Sequence, residues 1–543
     1  MTQFLTRKLF APMFLCALVT ACALTELVSM PSEPTATRAP VVNATPPRIT
    51  VDVLATTAAA TAAPTATRGS NPTPATPAAA TPTRAPQVAA TATPTGDPLV
   101  GFAQQFDGQA AYEHTRALTT PAMAGRKYGT TGGDKAAQYI ADKFKAAGLK
   151  PIGDNNTYFQ NFTMPFIDLA EVSLKLLNGD GSVNKAFKHH TDFRESGTWL
   201  TENANANGAV VFLGRGTDKD LAAGGDLTGK IVLVFQPQNT QVLQWVKGLW
   251  DKGVAGVLVI NNNPAAVTFK SSFVVDSPRK GETRPLLVVT RAVALALLQL
   301  SDAKLQELED KMNRDEGVFA PTANRVSMTL KLAPIRDVRV MNVLGAIQGS
   351  DPQLAHEVVI VGGHYDHVGY DPDGGAAFDG ANDNASGTAV VIALAEHFAK
   401  NKIHLKRTLV FAAWTAEESG LVGSTYYTRH PLYPLNQTIA YINLDVVGAG
   451  GGAGLTITND SPQVASTARE SANDLNIRTG GTSIGGGSDH EAFLKVGVRA
   501  TFFIWQQYGD IHVPTDTFDK IDVNKLKATG QVAALTLLRL ANQ

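Results

Sequence analysis

From about Asp337 to the C-terminus, short continuous apolar runs alternate with longer segments of helical periodicity. The runs are Val358–Gly362, Thr408–Trp414, Ile439–Leu444 and Ala500–Trp505. A stretch that is apolar at every position suits a strand buried on both faces, as parallel strands are. The helical segments Ser386–Lys400, Ser461–Leu475 and Lys525–Ala541 alternate with the runs and close the chain. This alternation predicts an α/β fold, with a mixed, mostly parallel sheet and helices on both faces. Ligands of such sheets gather at the carboxyl ends of the strands.

The same domain draws on an earlier piece of chain. Thr131-Gly132-Gly133 precedes an amphipathic helix from Asp134 to Phe144, closed by Gly148. We therefore expect a split α/β domain, 98–165 and 336–543, interrupted by an insert at 166–335. The insert holds three short β-rich runs, Ala209–Leu213, Ile231–Phe235 and Gly256–Ile260, with a turn at Asp226–Lys230 and a helix from about Gln241 to Asp251. It shows no cluster of His, Asp or Glu at ligand spacing. His189 and His190 are adjacent, and in a strand they would point to opposite faces, which predicts surface residues.

The first residues read as an address. Arg7 and Lys8 precede the apolar stretch Leu9–Leu18, and Val19-Thr20-Ala21-Cys22 resembles a bacterial lipobox. Residues 1–22 are thus a signal segment, with Cys22 as the lipidation site. The expected location is the cell surface or the periplasmic side of a membrane, with a lipid anchor, or secretion if the signal is an ordinary one. Residues 23–97 are rich in Ala, Thr and Pro without hydrophobic periodicity, and predict a disordered tether. The two cysteines, Cys16 and Cys22, both precede that tether, so no disulfide or thiolate site is available to the folded body. Lys and Arg number 47 against 48 Asp and Glu, which excludes a global basic field for nucleic acid.

Ionisable residues recur where the apolar runs end. His364, Tyr365, Asp366 and His367 follow the first run, and Glu417 and Glu418 follow the second. Asp445 follows the third, and the segment Asp510 to Thr517 follows the last. Gly380-Ala381-Asn382-Asp383-Asn384-Ala385-Ser386-Gly387 lies between the first run and its helix. Gathering so many carboxylates on one rim costs several kcal/mol per ion unless cations compensate. Two divalent metals sharing a carboxylate would do so.

Six short motifs, in order, then resemble the co-catalytic two-zinc exopeptidases of metallopeptidase family 28, which include aminopeptidases and glutamate carboxypeptidases. They are His364-Tyr365-Asp366, the GANDNASG segment, Ala416-Glu417-Glu418, Asn443-Leu444-Asp445, Ser488-Asp489-His490 and His512-Val513-Pro514-Thr515-Asp516-Thr517. The insert's DLTGKIVLV and KGVAGVLVINN segments resemble the protease-associated domain, a β-rich lid of many exopeptidases. The resemblance implies two zinc ions per chain, one on His364 and Asp445, the other on Glu418 and His512, with Asp383 bridging. It implies that Asp366 orients His364, that Glu417 is the general base toward a zinc-bound hydroxide, and that the Asp383–Asn384 peptide is cis. The implied activity is removal of N-terminal residues from peptide substrates.

One position departs from the family pattern. Several relatives carry tyrosine before the last histidine, where this chain has Ile511, and Tyr508 is the nearby candidate for that oxyanion contact. Ser488, Asp489 and His490 are expected to shape the substrate pocket. A carboxypeptidase is the rival reading, and it would need a cation such as Arg429, Arg478 or Arg499 as a carboxylate clamp. A non-catalytic surface binding lipoprotein is the other.

Overall fold

The computed structural model describes residues 97–196, 201, 203–236, 242–262, 283–369, 377–483 and 487–543. The signal segment with Cys16 and Cys22, and the Ala/Thr/Pro-rich stretch to residue 96, lie outside the described residues, as do Gly485 and Gly486. Strands β1 (Lys150–Pro151) and β2 (Phe159–Phe166) come first. The inserted stretch contributes β3 (Leu169–Leu177), β4 (Val183–Ala186), β5 (Phe193–Glu195), β6 (Asn203–Phe212), β7 (Ile231–Phe235), β8 (Gly256–Asn261), β9 (Leu286–Thr290) and β10 (Ala320–Leu332). The remainder are β11 (Arg336–Ile347), β12 (Val358–His364), β13 (Thr408–Trp414), β14 (Thr438–Leu444), β15 (Thr456–Ile457) and β16 (Ala500–Ile504).

Two sheets result. The first runs β1-β11-β13-β12-β14-β16-β15, with β2 also paired to β11. Its centre is parallel, because β12 pairs with β13 and β14, and β14 with β16, all in the same direction. The flanks are antiparallel, at β11 against β13 and β15 against β16. The mixed α/β fold expected from the sequence is thus present, with its parallel character confined to the four central strands.

Those strands are buried at every position but Ile439 and Ile504, because each face packs on helices. Val359 and Val361 of β12 join a core with the helices Thr131–Ala146, Gly387–Asn401, Pro462–Asp474 and Val523–Asn542. Val358 and Ile360 face the other way, into a core with Tyr427 and Phe493 of the helices Val422–Arg429 and His490–Leu494. Alternate residues of one strand therefore feed two cores, which is why the run could carry no polar position. The helix Thr131–Ala146 starts where the Thr130 hydroxyl accepts the Gly133 N–H at 3.3 Å. It ends at Gly148, whose φ of +79° lets Leu149 N–H reach back to the Phe144 carbonyl at 3.0 Å.

The second sheet runs β4-β3-β10-β6-β7-β8-β9-β5. It is more than β-rich: β6 to β9 are parallel, and the helices Val242–Trp250, Arg291–Leu298 and Asp302–Asn313 pack on it. The chain passes between the sheets on two adjacent antiparallel segments. Phe166 pairs with Arg336 in the first sheet, and Leu169 pairs with Leu332 in the second.

His189 and His190 differ from the sequence expectation. They lie in a turn before β5 and are each only 8% exposed. His190 has a φ of +54°, and this left-handed residue breaks the alternation that would have sent the two rings apart.

Candidate metal centre

Every candidate ligand sits where a central strand ends. His364 is the last residue of β12, Glu417 and Glu418 follow β13, Asp445 follows β14, and His512 lies beyond β16. Asp383 is delivered by the turn Ala381–Ser386, which leads into the helix Gly387–Asn401. Because β12, β13, β14 and β16 are parallel, all these ends share one rim.

The side chains converge there. His364 Nε2 is 3.3 Å from Asp383 Oδ1, 3.4 Å from Asp445 Oδ1 and 3.9 Å from Glu417 Oε2. His512 Nε2 is 3.0 Å from Asp383 Oδ2 and 2.6 Å from Glu418 Oε2. Asp383 thus turns one carboxylate oxygen toward each histidine. The Asp383–Asn384 peptide is cis.

The titration of these groups is strongly displaced. Burial alone would lower His364, but the carboxylates of Asp445, Glu417, Asp366 and Asp383 outweigh it and raise the imidazole well above its usual range. His512 is raised in the same way, by Glu418 and Asp383 against burial. Burial would raise Asp383, yet hydrogen bonds from His364 and His512 hold it well below the ordinary carboxylate range. Glu418 is drawn down to about 2, chiefly by His512, against its own burial. Glu417 moves the other way. Burial pushes its carboxyl well above the usual value, and Glu418, Asp489 and Asp445 add to the shift despite His364.

The donor set fits divalent cations. Imidazole nitrogens and carboxylate oxygens are the ligands of such ions, and in two groups among them, His364–Glu417–Asp445 and His364–Asp383–Glu418, one ligand atom from each residue lies within 4.8 Å of the others. Oδ1 of Asp445 is buried and has no hydrogen-bond partner among the described residues. A buried polar oxygen left that way is costly without a partner, and a bound cation would supply one.

A dense polar scaffold holds the loops. Asp516 accepts the N–H groups of Asn382 at 2.9 Å and Asp383 at 3.0 Å, one on each carboxylate oxygen. Asn382 Oδ1 accepts Gly448 and Ala449 N–H at 2.7 and 2.9 Å, and Asn384 donates to the Leu444 carbonyl at 2.9 Å. The Asp383 turn is therefore fastened to the segment that follows Asp445. Gly387 allows the closest approach, since a Cβ there would lie 2.1 Å from the Leu444 carbonyl oxygen. The fully buried Arg126 guanidinium donates to the carbonyls of Leu118, Tyr365, Asp379 and Gly380 at 2.7–2.9 Å.

Asp366 is fully buried at the rim. Its Oδ1 lies 3.7 Å from His364 Nδ1, which is nearer to the Asp366 backbone carbonyl at 3.2 Å. The carboxylate accepts the N–H groups of Glu417 at 3.0 Å and Glu418 at 3.3 Å, so it also ties the β13 end to the β12 end. Ser488 donates to Asp445 Oδ2 at 2.7 Å. It stands at the end of a chain in which Trp414 donates to Tyr441, Tyr441 to Asn443, and Asn443 to Ser488. Asp489 is fully buried beside this chain, and burial lifts its carboxyl to about 7. His490 turns toward Asp460, 3.6 Å away, and packs on Phe502. The Tyr508 hydroxyl is spent on Asp516 at 2.5 Å, which makes it a support of the Asp383 loop in this structure.

Sequence reasoning passed over His367, Asp516 and Arg126. His367 Nδ1 lies 2.7 Å from Glu418 Oε1 and fixes that carboxylate from the side opposite His512. Its spacing from His364 was a usable signal. Arg126 gave none, because its partners are all carbonyls distant in sequence.

Residues 342–537 match the family described as Peptidase family M28. Aminopeptidase YwaD of Bacillus subtilis is 26% identical over 446 residues, covering 79% of this chain and 83% of that protein. A probable leucine aminopeptidase 2 of Aspergillus fumigatus is 27% identical over 314 residues, which span 55% of each chain. Among solved structures, the zinc aminopeptidase BSAP from Bacillus subtilis shares the fold with a TM-score of 0.58 at 22% identity, over 81% of this chain and 96% of that one. The matched residues carry all the ligand candidates on the rim, so the constellation lies wholly within the segment, 342–537, that is similar to Peptidase family M28.

Proposed function

We propose that this protein is an exported, two-zinc aminopeptidase that hydrolyses N-terminal residues from peptides. The observation that carries this reading is the split of Asp383, one oxygen toward His364 and the other toward His512. A bridging carboxylate needs that disposition. His364 and Asp445 would hold one zinc, Glu418 and His512 the other, and Asp383 would serve both. When bound, the zinc pair supplies positive charge that polarises the scissile carbonyl and acidifies water.

The remaining work falls to the chain's own groups. Glu417 stands beside the ligands, with Oε2 3.9 Å from His364 Nε2 and its backbone N–H held by Asp366. Its raised carboxyl can take a proton from the attacking water and return it to the leaving amine nitrogen. Asp366 fixes the peptide from which Glu417 projects, so the carboxylate is positioned before substrate arrives. Ser488 and Asn443 keep Asp445 in its orientation, and His367 does the same for Glu418.

Amino-terminal specificity is supported by two relatives described as aminopeptidases and by the absence of Arg499 from the rim. Arg499 precedes β16, at the end opposite the ligands, and donates to the Ile439 carbonyl. The signal segment, Cys22 and the Ala/Thr/Pro-rich tether support an exported enzyme held at a membrane by a lipid.

The test uses two synthetic peptides and zinc-loaded protein. One peptide has a free amine and an amidated carboxyl end, and the other is acetylated with a free carboxylate. Stepwise release of amino acids from the first alone is expected. Cleavage of the second alone would establish the carboxypeptidase reading, and cleavage of neither, with zinc bound, the non-catalytic one.

A further inference from the structure

Away from the rim, one other group of ligand-type side chains converges among the described residues, and it lies in the insert. His189 Nε2 is 2.9 Å from Glu195 Oε2, and His190 Nε2 is 3.7 Å from the same oxygen. One ligand atom from each of the three residues lies within 4.8 Å of the other two. The imidazole centroids are 3.6 Å apart, with planes tilted by 31°. Glu195 is fully buried, and both histidines nearly so.

The local backbone is built to produce this convergence. The turn from Lys188 is closed by Asp192, whose N–H donates to the Lys188 carbonyl at 2.8 Å and whose Oδ2 accepts the Lys188 N–H at 2.9 Å. The left-handed His190 then donates its N–H to the Phe193 carbonyl at 2.8 Å. Glu195 is placed by β5, in register with Leu287 of β9. A left-handed, non-glycine residue inside this turn puts two neighbouring imidazoles on the same side, facing one carboxylate.

We propose that His189, His190 and Glu195 form a further metal site, separate from the catalytic rim, which takes one divalent late transition ion of the zinc class. Two imidazole nitrogens and one carboxylate oxygen are a donor set for zinc, cobalt, nickel or copper, and a poor one for calcium or magnesium, which prefer all-oxygen cages. Each of the three buried residues brings one ligand atom into the same small space, where one cation meets all three. Burial of the three ligands makes the ion a structural clamp between the turn and β5.

The experiment counts metal on the full chain. Protein is loaded with excess zinc, freed of loose ions by gel filtration, and assayed by plasma mass spectrometry. The His189→Ala and Glu195→Gln variants should each carry one zinc fewer per chain than the unaltered protein, whatever number the rim holds. An unchanged count in both folded variants overturns the site and leaves the rim reading intact. If the variants do not fold, crystals of the unaltered zinc-loaded protein are measured on both sides of the zinc absorption edge. An anomalous peak bonded to His189 Nε2, His190 Nε2 and Glu195 sustains the proposal, and its absence at excess zinc overturns it.

Discussion

Ser488 donates its hydroxyl hydrogen to Oδ2 of Asp445 across 2.7 Å, inside a network that reaches back to Trp414. The bond leaves Oδ1 of Asp445 as the oxygen free to bind a cation. Removing an outer hydrogen bond of this kind typically costs ~10–100-fold in metal affinity. Ser488→Ala should therefore weaken zinc binding by about that factor, measured by competition with a chromophoric chelator. An affinity equal to that of the unaltered protein would deny Ser488 this role.

Burial holds the Glu417 carboxyl well above the usual range. Glu417→Gln keeps the shape of the side chain but cannot accept a proton. Zinc content should stay at the level of the unaltered protein, while kcat falls by about two to four orders of magnitude. Turnover within a few-fold of normal would remove Glu417 as the base.

Metal-free protein should show a definite pH window. The raised imidazoles of His364 and His512 contribute stability that is fully present below about 6.5 and is lost as pH climbs through their higher folded values. The depressed carboxylates of Asp383 and Glu418 contribute stability that is present above about 4.5 and is lost as pH falls toward the low folded values, about 2 for Glu418. The melting temperature of chelator-treated protein should peak between these limits. Zinc affinity should rise with pH through neutrality, because each imidazole must lose its proton to bind. Calorimetric titration in buffers of different ionisation enthalpy would report the released protons, and a pH-independent affinity would contradict the expectation.

Arg126 satisfies four buried carbonyls at once, two of them in the segment that leads into the Asp383 turn. Truncating it leaves those oxygens without a donor, at ~1–3 kcal/mol each. Arg126→Met should destabilise the protein by at least about 3 kcal/mol in denaturant melts, even though its side chain is of similar length. A loss below about 1 kcal/mol would mean that water replaces the guanidinium.

Gly387 sits where two ligand-bearing segments touch. A Cβ would lie 2.1 Å from the Leu444 carbonyl and 2.4 Å from Asn384 Oδ1. Gly387→Ala must push the Asp383 turn and the Asp445 strand end apart, at ~1–3 kcal/mol of overpacking. Zinc affinity should fall with stability, in contrast to an alanine placed at Gly101, where nothing lies within 4 Å of the added Cβ. Equal zinc affinity for Gly387→Ala and the unaltered protein would show that the contact relaxes without moving the ligands.

Several features were legible along the chain because local chemistry dictates them. Runs such as Val358–Val361 could only be strands covered on both faces, and the alternation with helices implied the parallel centre. Charged residues at the ends of such strands had to meet on one rim, so His364, Glu417, Glu418 and Asp445 could be named together before any coordinates. The rest depends on distances between segments remote in sequence. Arg126, 239 residues from Tyr365, offers no periodicity that points to its carbonyl partners. Asp516 looked like part of a loop motif, and only folding brings its carboxylate to the N–H groups of Asn382 and Asp383. Tyr508 was a candidate for the reacting centre until the fold set its hydroxyl on Asp516. At His190 a single positive φ reversed the side-chain direction expected of a strand, and buried two imidazoles beside one carboxylate. Sequence determined which segments are strands and helices and which chemistry collects at their ends, since both follow from burial and periodicity. Tertiary structure alone decided which polar atoms meet, because hydrogen bonds act over a few ångströms and leave no regular trace along the chain.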